Sequence, residues 1–405
     1  MILKDIYYTS KAAFRIFKVS SPRLISKIVF TFGLKSMKNM AAYDRRVKKG
    51  EPFFPCFMMI SLTEACNLSC SGCWVSRGGH KSLTHEQLDG IIRECKSHGA
   101  NFFGILGGEP FMYKGLLDVL ALHPDCYFQI FTNGTLITDE VARRMRELGN
   151  ITPVISIEGL KEESDRRRQK DDVFSRTLEG MRNCRRHKLI FGSAASICKG
   201  NYDDLVNEKH IQALAKEGAM YMWYYIYRPV GAEPNPRECL SEEQIRGLRQ
   251  FLVDQRDKAP LFIIDTYWDD KGNAICPGAS GMSHHIAPSG AVEFCPVMQL
   301  STKVLSPDAS NLTAIMEEYG MIARMREHTA EKTRGCILME DPADMREFLK
   351  KEGAEDYTSR GTVKQEYDAM CHVPGHDMKT DLIPERNVIY RFLKKRYFFG
   401  FGAYG

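Results

Sequence analysis

The chain has no run of about eighteen uninterrupted apolar residues, the length that a helix needs to cross a bilayer. A soluble or peripheral protein is therefore expected. A cleavable secretory leader is not expected either, because the apolar runs near the N-terminus are short and broken by charge. Acidic residues are nearly missing from the first fifty positions, which hold Asp5 and Asp44 against twelve Lys or Arg, a balance of +10 that leaves the rest of the chain at −5. The N-terminus reads as a basic module. Thirteen cysteines, an odd number spread over 405 residues, do not form the even, closely spaced pattern of a disulfide framework, and the reducing cytoplasm is the natural setting. The 43% hydrophobic and 26% charged fractions are ordinary for a globular protein and argue against disorder. A chain this long calls for one large α/β domain with appendages, or two domains.

Nine residues carry the most information. In Cys66-Asn-Leu-Ser-Cys70-Ser-Gly-Cys73-Trp74, three thiols at spacings of four and three can converge on one face of a tight loop, leaving one corner of an iron–sulfur cube without a protein ligand. Zinc is the weaker reading, since it normally takes four protein ligands and no further Cys or His appears until His80. Structural thiols are weaker still, because core packing does not need three cysteines in eight positions.

Around this loop, short apolar runs alternate with helical stretches. Strands are expected at 57–62, 101–106, 127–131, 152–157, 189–197 and 220–226, and helices at 84–98, 138–148, 173–187, 203–217 and 241–256. Thr84 and Gln87 form a plausible capping box. Six β/α units imply right-handed crossovers and a parallel sheet with ligand residues at the C-terminal strand ends. Three polar motifs fall on that rim with the cysteine loop: Gly107-Gly108-Glu109-Pro110, Thr132-Asn133-Gly134 and Ser156-Ile157-Glu158-Gly159. The glycines permit close backbone approach, and Pro110 holds Glu109 extended.

The cysteine triplet with Trp74, followed one unit later by Gly-Gly-Glu-Pro, resembles the signature of the radical SAM superfamily. The resemblance implies a partial (β/α)6 TIM-like barrel in which Cys66, Cys70 and Cys73 hold a [4Fe–4S] cluster and S-adenosylmethionine (SAM) chelates its fourth iron. It further implies that Gly107, Gly108 and Glu109 meet the methionine amino group, that Asn133, Ser156 and Glu158 are polar contacts, and that Trp74 packs near the adenine or in the core. Arg168, in Asp165-Arg-Arg-Arg168, resembles the arginine following the fourth strand, with Arg166 and Arg167 as alternatives in register; Ser196 is a further candidate. One-electron reduction of the sulfonium would release a 5′-deoxyadenosyl radical able to abstract hydrogen from substrate. A low-potential donor such as a flavodoxin or ferredoxin would supply the electron.

A second cysteine set lies beyond residue 260. Cys276 and Cys295 bracket His284-His-Ile-Ala-Pro-Ser-Gly-Ala-Val-Glu-Phe, a hairpin with its turn at 288–290. This resembles the opening of the auxiliary-cluster regions called SPASM and twitch, without the dense Cys-x-x-Cys series of the longer version. The resemblance implies a second [4Fe–4S] cluster on Cys276, Cys295, Cys336 and Cys371, while Cys371-His372 can equally be an ordinary pair. Cysteines 56, 95, 126, 184, 198 and 239 suit the core.

At the ends, residues 2–17 and the segment after Ser21-Pro22 read as basic amphipathic helices, with Ile2, Ile6, Ala13, Phe14 and Phe17 as the first apolar set and Ile25, Ile28, Val29 and Phe32 as the second. The tail interleaves Tyr390, Phe392, Tyr397, Phe398, Phe399 and Phe401 with Arg386, Arg391, Lys394, Lys395 and Arg396. Such helices either pack on the main domain or join the tail to dock the barrel mouth on a membrane surface. No long basic track for nucleic acid is present. The expected organisation is a basic helical extension (1–51), a radical SAM core (52–258), an α+β auxiliary-cluster region (259–380) and a basic aromatic tail (381–405). The expected substrate is hydrophobic or membrane-associated. A peptide- or protein-modifying maturase is the enzymatic alternative, and a non-catalytic iron–sulfur electron carrier is the alternative of another class.

Overall fold

The computed structural model describes residues 2–51, 54–75, 80–332, 335–377 and 382–396. Its centre is a run of parallel strands: β1 (Phe57–Ser61), β2 (Phe102–Leu106), β3 (Tyr127–Thr132), β4 (Ile151–Ser156), β5 (Gly192–Ile197) and β6 (Tyr221–Ile226). Each of these six strands is joined to the next by at least one helix, as the alternation of apolar runs and helical stretches predicts. Successive residues point to opposite faces. Met58, Ile60, Phe103, Ile105, Phe128 and Ile130 face the surrounding helices, while Phe57, Met59, Phe102, Tyr127, Trp223 and Tyr225 fill the interior of the curved sheet. Both faces are buried, which is why the strands read as continuous apolar runs rather than alternating ones. Each fully buried side chain of this kind contributes about 1.5–3 kcal/mol.

The sheet continues beyond six strands. β7 (Phe262–Asp265) pairs parallel with β6, and β8 (Ser283–Ile286) returns to pair parallel with β1. The short β9 (Val292–Glu293) follows β8 antiparallel, and the order is β7-β6-β5-β4-β3-β2-β1-β8-β9. The sheet is not closed. The expected boundary at 258/259 thus falls within a stretch whose two sides share one sheet. The β8–β9 hairpin itself has its turn where the sequence places it, with the Gly290 amide donating to the Ala287 carbonyl.

The helices on the outside are α4 (His85–Ser97), α5 (Leu116–Ala121), α6 (Asp139–Leu148), α7 (Lys161–Arg168), α8 (Val173–Arg186), α9 (Tyr202–Leu205), α10 (Glu208–Glu217) and α11 (Glu242–Gln255), preceded by α1 (Ile2–Val19), α2 (Pro22–Ser26) and α3 (Lys35–Lys49). The Thr84–Gln87 capping box is present, with Thr84 Oγ1 accepting from the Gln87 amide at 3.0 Å and Gln87 Oε1 from the Thr84 amide at 3.1 Å. Two details differ from expectation. The helix expected at 203–217 is divided, because the Asn207 side chain caps a new helix by accepting from the His210 amide at 2.9 Å. Charge-dense Lys161–Arg168 is helical although no apolar period marks it.

The N-terminal helices close the end of the sheet opposite the cysteine loop. Ser21 caps α2 as expected, and the chain then runs through a π-helix, Lys27–Leu34, into α3. Phe32 packs on Phe102 and Tyr127, the first residues of β2 and β3, with ring centroids 4.6 and 5.4 Å apart. Lys27 and Lys35 donate to the carbonyls of Pro124 and Asp125, just before β3. The C-terminal helix Val388–Arg396 lies beside α1. Its Lys394 Nζ donates to Asp265 Oδ1 at 2.9 Å, and Tyr390 Oη accepts from the Ile263 amide at 3.2 Å. The expected docking of the barrel mouth by these termini meets a geometric obstacle, since the N-terminal helices sit at its floor and the C-terminal helix runs along the edge strand β7. Tyr397, Phe398, Phe399 and Phe401 lie outside the described residues.

Candidate active site

β1 ends at Ser61, and the chain turns at once into the cysteine loop. Gly72 takes φ 71°, and a Cβ there would lie 2.8 Å from the Tyr227 ring, so the position between Cys70 and Cys73 requires glycine. The Ser71 amide donates to the Arg167 carbonyl at 2.7 Å and ties the loop to α7. On the other side, the Gly108 and Glu109 amides donate to the carbonyls of Thr63 and Ala65 at 2.7 and 2.9 Å. A Cβ on Gly108 would come within 2.3 Å of the Ala65 carbonyl oxygen, so the absence of a side chain lets the two loops meet.

One cavity of about 1140 Å³, partly open to solvent, collects the motifs. Cys66, Cys70, Cys73 and Trp74 line one wall, and Gly107, Gly108, Asn133, Ser156, Glu158, Arg168 and Ser196 line the others. Glu109 stands behind the wall. Fully buried, its carboxylate accepts from Thr132 Oγ1 (2.7 Å), the Asn133 amide (2.8 Å) and the Phe111 amide (3.1 Å). Its side chain therefore joins the ends of β2 and β3 rather than facing the cavity. Asn133 braces the cysteine loop by donating to Asn67 Oδ1 at 2.8 Å.

Helix α7 turns its three arginines to different partners. Arg166 turns outward to Glu163. Arg167 donates to Glu158 Oε2 at 2.6 Å and to the Ser196 carbonyl at 3.0 Å. Arg168 reaches Cys70 Sγ at 3.4 Å and Glu158 Oε1 at 3.3 Å. Burial alone would lower the Arg168 pKa, yet Cys70 and Glu158 outweigh it and hold the guanidinium charged. Burial, with repulsion from Cys70, pushes the Cys66 and Cys73 thiols up to about 11 and about 12. Thiols held this high ionise at neutral pH only against a strong local positive charge, which a metal centre provides. The donor set fits an iron–sulfur cluster, and the neighbouring backbone edge, hydroxyls and carboxylate fit a small zwitterionic ligand.

Sequence reasoning did not find the groups that close the cavity from the C-terminal side. Arg360 donates to the Trp74 carbonyl at 3.2 Å, and the Ser359 amide to Glu64 Oε1 at 2.9 Å. Next to this cavity, Ser61 Oγ lies 2.7 Å from His285 Nε2, and His285 Nδ1 lies 2.7 Å from Glu293 Oε2. This buried chain links β1 to both strands of the hairpin and has the order of a proton relay. The alternation of His and Glu across a predicted hairpin could have signalled the His285–Glu293 pair, but Ser61 is two hundred residues away.

Cys276, Cys295 and Cys336 line a second, smaller cavity of about 340 Å³ together with Arg228. Burial, reinforced by Cys336, pushes the Cys276 thiol up to about 11. Cys371 is not among the lining residues and is exposed. Cysteines 56, 95, 126, 184, 198 and 239 are buried.

Residues 60–207 match the family model of the Radical SAM superfamily. They form a radical SAM domain. The family uses a [4Fe–4S] cluster and SAM. The chain is similar to Fe-coproporphyrin III synthase of Methanosarcina barkeri (strain Fusaro / DSM 804), with 30% identity over 52% of this chain and 55% of that one. It is also similar to the sporulation killing factor maturation protein SkfB of Bacillus subtilis (strain 168), with 26% identity over 38% of this chain and 39% of that one. It spans about half the length of these curated relatives. The radical SAM fold extends to Streptococcus suis SuiB, solved with its precursor peptide SuiA, at TM-score 0.59, 16% identity and 71% coverage of each chain. The matched segment contains the cysteine triplet, Gly107–Glu109, Glu158 and Arg168, but ends before the second cysteine set.

Proposed function

We propose that the protein is a radical SAM enzyme whose cysteines 66, 70 and 73 hold the SAM-binding [4Fe–4S] cluster. The observation that carries this reading is the single cavity shared by the triplet, the Gly107–Gly108 edge and Arg168. When bound and reduced, the cluster supplies an electron to the SAM sulfonium and so starts radical chemistry on substrate. Each protein group has a separate task. Arg168 offsets thiolate charge at Cys70, and Glu158, fixed by Arg167 and Arg168, presents a rigid acceptor. Gly107 and Gly108 offer backbone to the methionine end, with Ser156 and Ser196 as hydroxyl partners and Trp74 as the apolar wall. Glu109 is a positioning residue for the Thr132–Asn133 turn. The partner that delivers the electron belongs to the low-potential class, a flavodoxin or ferredoxin, and the setting is the cytoplasm.

A second cluster on Cys276, Cys295 and Cys336 belongs to the same reading, in a SPASM- or twitch-like region. We favour a hydrophobic substrate, supported by Leu106, Phe131, Ala194 and Tyr225 along the inner cavity wall. Similarity to the maturation protein SkfB favours a peptide or protein substrate as the second reading.

The test is anaerobic reconstitution with iron and sulfide, followed by dithionite and SAM. 5′-Deoxyadenosine is expected from the wild type, and only background from Cys70→Ala. No product from a preparation with spectroscopically verified clusters overturns the reading and leaves the electron-carrier alternative.

A further inference from the structure

Large apolar side chains are not exposed evenly over the molecule. Of the fourteen that are well exposed among the described residues, eight lie between Tyr7 and Val47, and a ninth is Phe392 on the C-terminal helix. Three of these, Tyr7, Phe14 and Phe17, project from the outer side of α1, where Lys11 and Lys18 are also exposed. Spacings of seven and four residues put Tyr7, Lys11, Phe14 and Lys18 on one helical face. The opposite side, with Ala12 and Ile16, is the one turned to the protein. Phe14 and Phe17 thus point outward, contrary to the packing that the apolar stripe predicts.

The π-helix extends this surface. Its Ile28 and Phe32 pack, partly buried, against the core of the sheet interior while Val29, Phe30 and Leu34 stay in solvent. Between it, α3 and the C-terminal helix runs an apolar groove of about 880 Å³, partly open, lined by Ile28, Phe32, Leu34, Met37, Phe392 and Leu393. Exposed Arg23, Lys35, Lys38 and Arg391 surround the groove residues in sequence. Clustered aromatic and aliphatic exposure of this kind marks an interaction site rather than ordinary surface.

We propose that this floor of the barrel docks on an anionic lipid leaflet, with the aromatic side chains at the acyl boundary and the lysines and arginines on the head groups. Charge selects this occupant. A second copy of the chain would bring an equally basic surface against this one, at +10 over the first fifty residues of each copy, whereas anionic head groups favour each cation near the surface by about 1 kcal/mol. Amphipathic helices with aromatic and cationic side chains bind interfaces through these two contributions together. Because the cysteine loop opens at the opposite end of the strands, docking leaves the SAM cavity facing away from the lipid. The inference stands on the surface alone and does not depend on the radical SAM chemistry.

Sedimentation of the 405-residue chain with vesicles tests it. Binding is expected to vesicles of phosphatidylcholine containing about one-third phosphatidylglycerol, at least about tenfold tighter than to pure phosphatidylcholine, and to weaken as salt is raised. A Phe14→Glu and Phe30→Glu double variant, altered at two solvent-facing positions, should lose about tenfold in affinity for the anionic vesicles while keeping wild-type circular dichroism. Lys11→Glu with Lys18→Glu should remove the preference for anionic lipid. Equal binding to both vesicle types, no binding, or an unchanged Phe14→Glu/Phe30→Glu variant overturns the proposal. So does a wild-type dimer in analytical ultracentrifugation that the same aromatic variant converts to monomer, which would assign the surface to a second copy.

Discussion

Cys66, Cys70 and Cys73 share their cavity with two glycines, three serines, two glutamates and a buried arginine, whereas Cys276, Cys295 and Cys336 share theirs mainly with Pro277, Phe294, Val297, Met298, Ile337 and Leu338. The first cavity is about 1140 Å³ and partly open; the second is about 340 Å³. Three thiols in polar, roomy surroundings leave space for an exchangeable ligand beside a cluster, and three in an apolar pocket suit a group that stays in place. Arg228 is the charged side chain lining the second cavity, placed to temper thiolate charge there as Arg168 does in the first. The difference is the reason the proposed function gives catalysis to the first group and a supporting role to the second.

The sharpest way to break that division is to count iron. Wild-type protein with two [4Fe–4S] clusters should hold about eight irons per chain, and a Cys276→Ala/Cys295→Ala double variant about half of that, with 5′-deoxyadenosine formation retained above background. Full iron content in the double variant would remove the second cluster; complete loss of SAM cleavage would merge the two roles. A smaller effect is expected from Arg168→Ala. It takes one of two cationic partners from Glu158 and the donor from Cys70, so stability should fall by about 2 kcal/mol and SAM should bind about tenfold more weakly by equilibrium dialysis. An unchanged dissociation constant would place Arg168 outside the ligand's reach.

A different kind of contact holds the C-terminal helix against the edge strand β7. Burial by itself would raise the Asp265 carboxyl, but Lys394, Arg256 and Arg249 outweigh it and hold it well below the usual carboxylate range. A depressed folded pKa contributes stability that is present above the unfolded value, near 4, and is lost as pH falls below it. Asp265→Asn should therefore cost about 3 kcal/mol in chemical denaturation at neutral pH, and the gap to wild type should narrow as pH drops through 4. A gap constant with pH would mean that packing, not charge, anchors this helix.

Much of the catalytic half is legible in residue order. Burial of both faces makes β1 to β6 readable as continuous apolar runs, and the Thr84–Gln87 box starts α4 where its chemistry allows. The cysteine loop, Gly107–Gly108, Asn133, Ser156 and Glu158 then fall on one rim because parallel strands end on the same side. Less was legible where contacts are non-local. β8 pairs with β1 across more than two hundred residues, and no local signal carries that register. Helix α7 has no apolar stripe, since it is held by Arg167 and Arg168 reaching inward to Glu158. Glu109 looked like a ligand contact because exposure cannot be read from a motif.

The cysteine triplet, the β/α alternation and the basic, aromatic character of the termini are properties of local spacing and composition. Which arginine meets Cys70, which cysteines gather beyond residue 260, and at which end of the strands the N-terminal helices lie are matters of the folded chain. These depend on side chains brought together from distant segments, and packing rather than spacing fixes such meetings. Cys371 carries the same thiol as Cys336, yet the fold turns one to solvent and the other into a cavity with two more.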